Sequence, residues 1–367
     1  MDVFRIADRL IAYVKERYPD DIALIAYYGS YVSGKQTARS DLDLFFIPAT
    51  PRGYEAARTF LIDGLSFDFW PMGWDRAERI AAFEEPLASV LADCRLLYAR
   101  SDADRSRLDR LRQTIAEGLA PERKGDLLEK ALRELERCYP PLHRLGRSPA
   151  CSLSSARREV YSLVTSLLYS LSLANRTYYR RGWGQNMDEV EALRLQPQNL
   201  ADRIRQLVTE RSLDRLESAC AGLVEETRLL LLAERKPASP SRPFPDRFAG
   251  FYEEWKGLIN KALTACERGD AATAFFAVLS ADDELRRHLL LAEEGIWPTA
   301  LHELTAAEPD GDSADLVDRF GQDDLGVIHA AIREWDRRVR HQLQARGVQL
   351  RDYSTIEEFA SSLSQDH

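Results

Sequence analysis

Apolar residues recur at helical spacing at the start of the chain, where Val3, Ile6, Ala7, Leu10, Ile11 and Val14 share one face. This predicts an amphipathic helix over 3–17 that stops near Tyr18-Pro19. The period then shortens. Ile22–Tyr28 and Asp41–Ile47 are compact apolar runs rich in β-formers, and Leu65–Trp70 alternates polar with apolar positions, so all three read as strands. Gly29–Ser40 has room for a turn and a short helix, and Gly53–Leu61 reads as a helix joining the second strand to the third. From about residue 102 onward the strand signals fade and helical periodicity takes over, at Leu127–Leu145, Ser155–Tyr179, Leu200–Val208 and Leu213–Glu234. Four prolines (Pro237, Pro240, Pro243, Pro245) within Glu234–Asp246 exclude a helix or central strand there and predict a linker. Helical pattern returns at Phe251–Arg268, Ala271–Glu293 and Asp324–Ala345, with Glu308–Asp315 as an acidic loop. The expected fold class is an α+β N-terminal domain followed by an all-α helical region. The expected boundaries are 1–101 for the first domain, 102–233 for a helical domain, 234–246 for a Pro-rich linker and 247–367 for a second helical domain.

Composition narrows the class. A chain of 367 residues exceeds the usual single core, and 45% hydrophobic with 30% charged residues is the balance of a soluble globular protein. A net charge of −9 argues against broad, sequence-independent binding to nucleic acid or anionic lipid. The five cysteines (Cys94, Cys138, Cys151, Cys220, Cys266) are scattered without a C-x-x-C pair, so they read as reduced thiols rather than a disulfide framework or a zinc site. The first 17 residues lack the apolar core of a signal peptide and no run reaches the ~18 apolar residues of a membrane span, which predicts a cytoplasmic protein. The six histidines show no ligand spacing.

The candidate chemistry lies between residues 28 and 70. Gly29 lets the backbone approach an anion closely at the end of the first strand, Ser30 offers a hydroxyl, and the helix expected next turns its free amides toward a phosphate. Asp41 and Asp43, two apart on a strand, emerge on one face while Leu42 and Leu44 go to the core; Asp68, between Phe67 and Phe69, can add a third carboxylate from a neighbouring strand. Three crowded carboxylates repel unless a cation neutralises them, and magnesium, a hard ion shared between carboxylates and substrate phosphates, is the natural occupant. Two such ions ~4 Å apart can clamp the attacking and leaving oxygens of an in-line displacement at phosphorus. Aspartate is depleted in strands, so three in otherwise apolar runs point to function rather than to solvated strand positions. Lys35 and Arg39 flank the motif as candidate nucleotide contacts, and Asn175–Gly184 mixes aromatics with arginines in a composition suited either to stacking on a base or sugar or to a helix terminus.

Gly29-Ser30-(x3)-Gly34-(x5)-Ser40-Asp41-Leu42-Asp43 resembles the signature of the polymerase-beta-type nucleotidyltransferase superfamily, and within it the chain looks most like kanamycin-type aminoglycoside nucleotidyltransferases. The resemblance covers 1–100, extends more weakly to about 233, and leaves 246–367 unmatched. It implies a short mixed sheet, Asp41 and Asp43 as metal ligands with Asp68 as third carboxylate, and Gly29, Ser30 and Ser40 near the nucleotide phosphates. It also implies magnesium, a nucleoside triphosphate (ATP by preference), and a glutamate base that falls on Glu136, with Glu134 as the neighbouring choice. The expected reaction is transfer of AMP to a hydroxyl of a small polar acceptor of aminoglycoside type, with an acidic helical domain drawing a polycationic acceptor. The alternatives are a toxin-type nucleotidyltransferase acting on tRNA or a partner protein, and a helical interaction protein with a vestigial or nucleotide-sensing domain. A homodimer is compatible with all three.

Overall fold

The computed structural model describes residues 2–147, 152–235, 243–295 and 316–363. The chain divides into two compact units, Met1–Arg235 and Lys236–His367.

Unit 1 opens with α1 (Phe4–Arg17), followed by β1 (Ile22–Tyr28), a single helical turn α2 (Ser30–Ser33) and β2 (Asp43–Pro48). Strands β3 (Arg58–Ile62), β4 (Leu65–Pro71) and β5 (Arg95–Ala99) complete a five-stranded mixed sheet in the order β3-β4-β2-β1-β5. Only the β2–β4 pair is parallel. β2 is therefore the middle strand, and its alternation sends Leu44 and Phe46 to one face and Phe45 and Ile47 to the other, all buried. The first face packs against α1 through Val3, Ala7 and Val14. The second packs into a large core shared with α3 (Trp74–Ala81), α4 (Ala88–Ala92), α5 (Asp102–Gly118), α6 (Lys124–Leu135), α8 (Leu153–Ala174) and α11 (Leu213–Ala233). At roughly 25 cal/mol per Å² of apolar area, each fully buried Phe contributes about 2–3 kcal/mol, so the two faces together hold β2 firmly.

The fold agrees with the expected α+β domain followed by helices, adds the unexpected strand β5, and differs in four further local places. Gly53–Leu61 is not a helix: a short 3-10 turn, Pro51–Ala56, leads into β3, which pairs with β4 through a hairpin. Its turn, Asp63-Gly64, has φ of 51° and 75°, the left-handed conformation at both central positions that a tight hairpin twist requires. The strand expected at Asp41 begins two residues later, at Asp43. The helix expected over Leu127–Leu145 is broken at Glu136–Cys138 and restarts as α7 (Tyr139–Arg147). Pro140 and Pro141 lack the N–H that the carbonyls one turn back would need, and proline is tolerated only in a first turn. The helix expected to reach Tyr179 stops at Ala174, because the Asn175 amide donates to the carbonyls of Leu171 (2.8 Å) and Leu195 (2.7 Å) and accepts the Leu195 N–H (2.8 Å). Arg176 then takes φ of 53° and turns the chain away.

Unit 2 is helical, with Phe251–Glu267, Ala271–Glu294 and Leu325–Ala345 as its long helices around a core centred on Trp255, which packs edge-on against Trp335 at 5.0 Å. Most of the expected linker, 236–242, and the expected loop 308–315 lie outside the described residues. Cys94, Cys138, Cys220 and Cys266 are buried free thiols. Among the described residues no helix is long and apolar enough to cross a membrane.

Candidate active site

β1 ends at Tyr28, directly opposite Asp43 in the antiparallel pairing, and Gly29 follows with φ 78° and ψ −141°, a conformation open to glycine alone. The turn brings the backbone hard against Asp43. A side chain added at Gly29 would place its Cβ 2.1 Å from Asp43 Oδ2. The Ser30 N–H donates to the Asp43 carboxylate, so in this state the first amide of the expected phosphate cradle is engaged by an acidic side chain.

The parallel register pairs Leu44 with Phe69, both buried toward α1. Asp43 and Asp68 each precede one member of that pair and therefore leave the sheet side by side on the opposite face, the one covered by the helical core. Asp68 accepts the Thr59 hydroxyl at 2.9 Å and is exposed. Asp41 lies in the segment entering β2. Burial first, and the neighbouring Asp41 charge second, push the Asp43 carboxyl up to about 6 against the weaker pull of the Ser30 amide. The Tyr28 hydroxyl, which accepts the Trp70 indole N–H at 3.2 Å, is pushed up to about 12 by burial and then by the charges of Asp43, Asp68 and Asp41. One phenol thus feels all three carboxylates. Among the described residues no three acidic, His or Cys side chains form a ready-made metal cage. The donor set nevertheless suits a hard divalent ion: it is all oxygen, and the Asp41–Asp43 pair carries an uncompensated repulsion that a cation would relieve.

Gly29, Ser30 and Asp43 line a cleft of about 420 Å³. Lys35 lines it too, whereas Ser40 and Arg39 do not: the Ser40 hydroxyl accepts the Thr37 N–H at 2.9 Å and the Arg39 N–H goes to Thr37 Oγ1 at 3.2 Å, so both serve a local turn. Phe83–Val90, Tyr169 of α8 and the irregular stretch Tyr178–Gln185 form the remaining walls. In that stretch the Tyr178 hydroxyl donates to Asp93 at 3.2 Å, Arg180 pairs with the same carboxylate at 3.3 Å, and Arg181 pairs with Asp188 and Glu189. A neighbouring hollow of about 460 Å³ shares Tyr28, Gly29, Ser33 and Arg180 with the cleft and adds Arg95 and Arg112. The wall opposite the carboxylates thus carries several arginines, of which Arg180, Arg181 and Arg112 are paired with acidic side chains. These arginines, Arg95 and Arg112 above all, were not legible as site residues in sequence; the only signal for their neighbours was the aromatic–arginine composition of 175–184.

Glu136 does not reach the cleft: it sits exposed in the break between α6 and α7. Glu134, two residues earlier, is half-buried, pairs with Arg137 at 3.2 Å, and is raised above the ordinary carboxylate range by burial, with Arg137 opposing. It is also the charge that bears most on Tyr169 in the cleft wall, after burial itself.

A family comparison bears on the N-terminal part of unit 1. Residues 7–91 match the family model of the nucleotidyltransferase domain. That segment runs from α1 through the Gly-Ser turn, β2 and β4 to α4, so the unit built around Asp43 is a nucleotidyltransferase domain and the protein is a nucleotidyltransferase by class. None of the curated proteins is significantly similar to the chain. Among solved structures, a nucleotidyltransferase-like protein from Exiguobacterium sibiricum 255-15 is 13% identical, over 62% of this chain and 75% of that one, with a TM-score of 0.36.

Proposed function

We propose that the protein transfers AMP from ATP, with magnesium, to a hydroxyl of a small polar acceptor of aminoglycoside type and releases pyrophosphate. The observation that carries this reading is the alignment of Asp43 and Asp68 on one sheet face beside Asp41, with Asp43 held against Gly29-Ser30 at the wall of the cleft. Lys35 supplies positive charge for a triphosphate, and the Ser30 amide becomes available to a phosphate oxygen once Asp43 is otherwise neutralised. Bound divalent ions would supply charge neutralisation at the α-phosphate and the leaving pyrophosphate. The acceptor hydroxyl oxygen forms the new bond to the α-phosphorus, the bond to the bridging oxygen of the β-phosphate breaks, and the hydroxyl proton leaves to a carboxylate. Glu134 suits that task better than Glu136, since it lies near the cleft wall and its raised proton affinity favours a base.

Pyrophosphate release from ATP and magnesium, measured across a panel of aminoglycosides and bulk tRNA for the wild type and Asp43→Ala, tests the reading. Release that needs an aminoglycoside and vanishes in the variant supports it. Release with tRNA alone would transfer the protein to the macromolecule-modifying class.

A further inference from the structure

Tyr28 is the last residue of β1 and stands opposite Asp43 in the antiparallel pair, so its side chain leaves the sheet on the face that carries the carboxylates. Its hydroxyl accepts the indole N–H of Trp70 at 3.2 Å, although Trp70 belongs to β4, on the far side of β2. Neighbouring strands lie about 4.8 Å apart, so the phenol must span β2 to make that contact. The two rings meet edge-on at 6.3 Å, and Phe45, the β2 partner of Trp70, lies 6.1 Å from Tyr28 and 5.9 Å from Trp70. Asp68 precedes Trp70 by two residues and shares its face. The hydroxyl is therefore carried from β1 to the middle of the acidic face, where the charges of Asp43, Asp68 and Asp41 all bear on it.

Packing alone does not call for that hydroxyl, since a phenylalanine ring would fill the same space beside Phe45 and Trp70. What the oxygen adds is one acceptor and one donor. Trp70 takes the acceptor, and Trp70 is itself held by the Arg76 guanidinium over its ring at 5.6 Å, with Arg76 paired to Glu85 at 2.9 Å. The donor is unspent: among the described residues the phenol proton goes to none of the three carboxylates. Tyr28 also lines both the cleft and the neighbouring hollow. Nearby donors are engaged elsewhere, the Ser30 amide with Asp43, Arg180 with Asp93, and Arg181 with Asp188 and Glu189. A fixed oxygen with a free proton, at the wall of the cleft, is a preorganised donor.

We propose that the Tyr28 hydroxyl donates a hydrogen bond to a phosphate oxygen of the nucleotide held at Asp41, Asp43 and Asp68, with Trp70 as the residue that positions it. The inference rests on the nucleotidyl-transfer reading of this site and is independent of which acceptor the enzyme modifies. A phosphate oxygen suits the phenol because it is anionic and only accepts, and a neutral donor meets it without a counter-ion. The acceptor hydroxyl is a poorer partner: it must lose its own proton in the reaction, and a donor on its oxygen would weaken it as a nucleophile.

The test is calorimetric titration of the full-length protein with α,β-methylene-ATP and magnesium, without any acceptor, since this analogue cannot release pyrophosphate. Tyr28→Phe keeps the ring and should lower nucleotide affinity by about 10- to 100-fold, the scale of one hydrogen bond to a charged oxygen. Magnesium titrated alone should bind wild type and Tyr28→Phe within about twofold of each other, because the hydroxyl contacts the phosphate and not the carboxylates. Tyr28→Phe also leaves the Trp70 N–H without its acceptor, so the double variant Tyr28→Phe, Trp70→Phe is measured beside it. Its nucleotide affinity should stay at the level of the single variant. Equal nucleotide affinity in wild type and Tyr28→Phe, a matching loss of magnesium affinity, or recovery in the double variant would overturn the proposal. A wild type that binds no nucleotide would overturn the nucleotidyl-transfer reading and this inference with it.

Discussion

Replacing Asp43 by asparagine removes a charge and keeps the shape, and the structure predicts that stability and function will move in opposite directions. Burial and the Asp41 charge lift the Asp43 carboxyl from 3.8 to about 6. Two units correspond to about 3 kcal/mol at full strength, and partial exposure discounts this to about 1–2 kcal/mol. The sign follows from linkage. A carboxyl whose folded value is raised favours the fold while protonated, and this contribution is lost as pH rises from the unfolded value, near 4, through about 6. At about pH 8 the wild type therefore carries the whole penalty and the asparagine variant none of it. For a unit of this size the gap should appear as a gain of about 3–6 °C in melting temperature. Differential scanning calorimetry with chelator present at about pH 8 and about pH 4.5 reads it directly, and the gap should shrink to about 1 °C at the lower pH. Adding millimolar magnesium should raise the wild-type melting temperature and leave the variant unmoved. A variant less stable than the wild type at about pH 8, or a gap independent of pH, would refute the account of Asp43.

Other consequences can be checked alongside. Magnesium binding to the free protein should weaken as pH drops through about 6, because the ion must then displace a proton from Asp43; an affinity flat down to about pH 5 would contradict this. Gly29→Ala should lower activity by more than about 100-fold and cost about 1–3 kcal/mol in urea unfolding, from the contact with Asp43 and the positive φ together. Glu134→Gln should reduce kcat by about 100-fold with little change in KM, while Glu136→Gln should stay within about twofold of the wild type; the reverse order would return the base to Glu136. Asn175→Ala removes three hydrogen bonds, two that tie the end of α8 to Leu195 and one that caps the Leu171 carbonyl, and should destabilise by about 2–3 kcal/mol in the same urea assay.

The first helix, β1, β2 and β4 were legible because each bears one clean period and is bounded by Gly, Pro or a charge. Aspartates inside apolar runs marked the acidic face before any pairing was known, and the parallel register then set Asp43 beside Asp68. β3 was hidden because Tyr54, Ala57 and Leu61 imitate a helical spacing, although Asp63-Gly64 carried the hairpin signal. β5 is five residues long between helices, too short for its period to register. The break at Glu136 was written in Pro140-Pro141 one turn ahead, whereas the choice of Glu136 came from the spacing of the family resemblance, which does not register such a break. Of the far wall only the aromatic–arginine composition of 175–184 was legible, and Arg95 and Arg112 were not, since their positions depend on how separate elements meet.

β2 has neighbours on both edges and cores on both faces, so its amides should be among the last in unit 1 to exchange with solvent, while Tyr178–Gln185 has no regular backbone ladder to protect it. Asp43 consequently belongs to the slowest-opening part of unit 1 and the opposite wall to a faster one. Substrate entry and product release then fall to the Tyr178–Gln185 side, and turnover can be tuned there by loop substitutions that leave Asp41, Asp43 and Asp68 where they are.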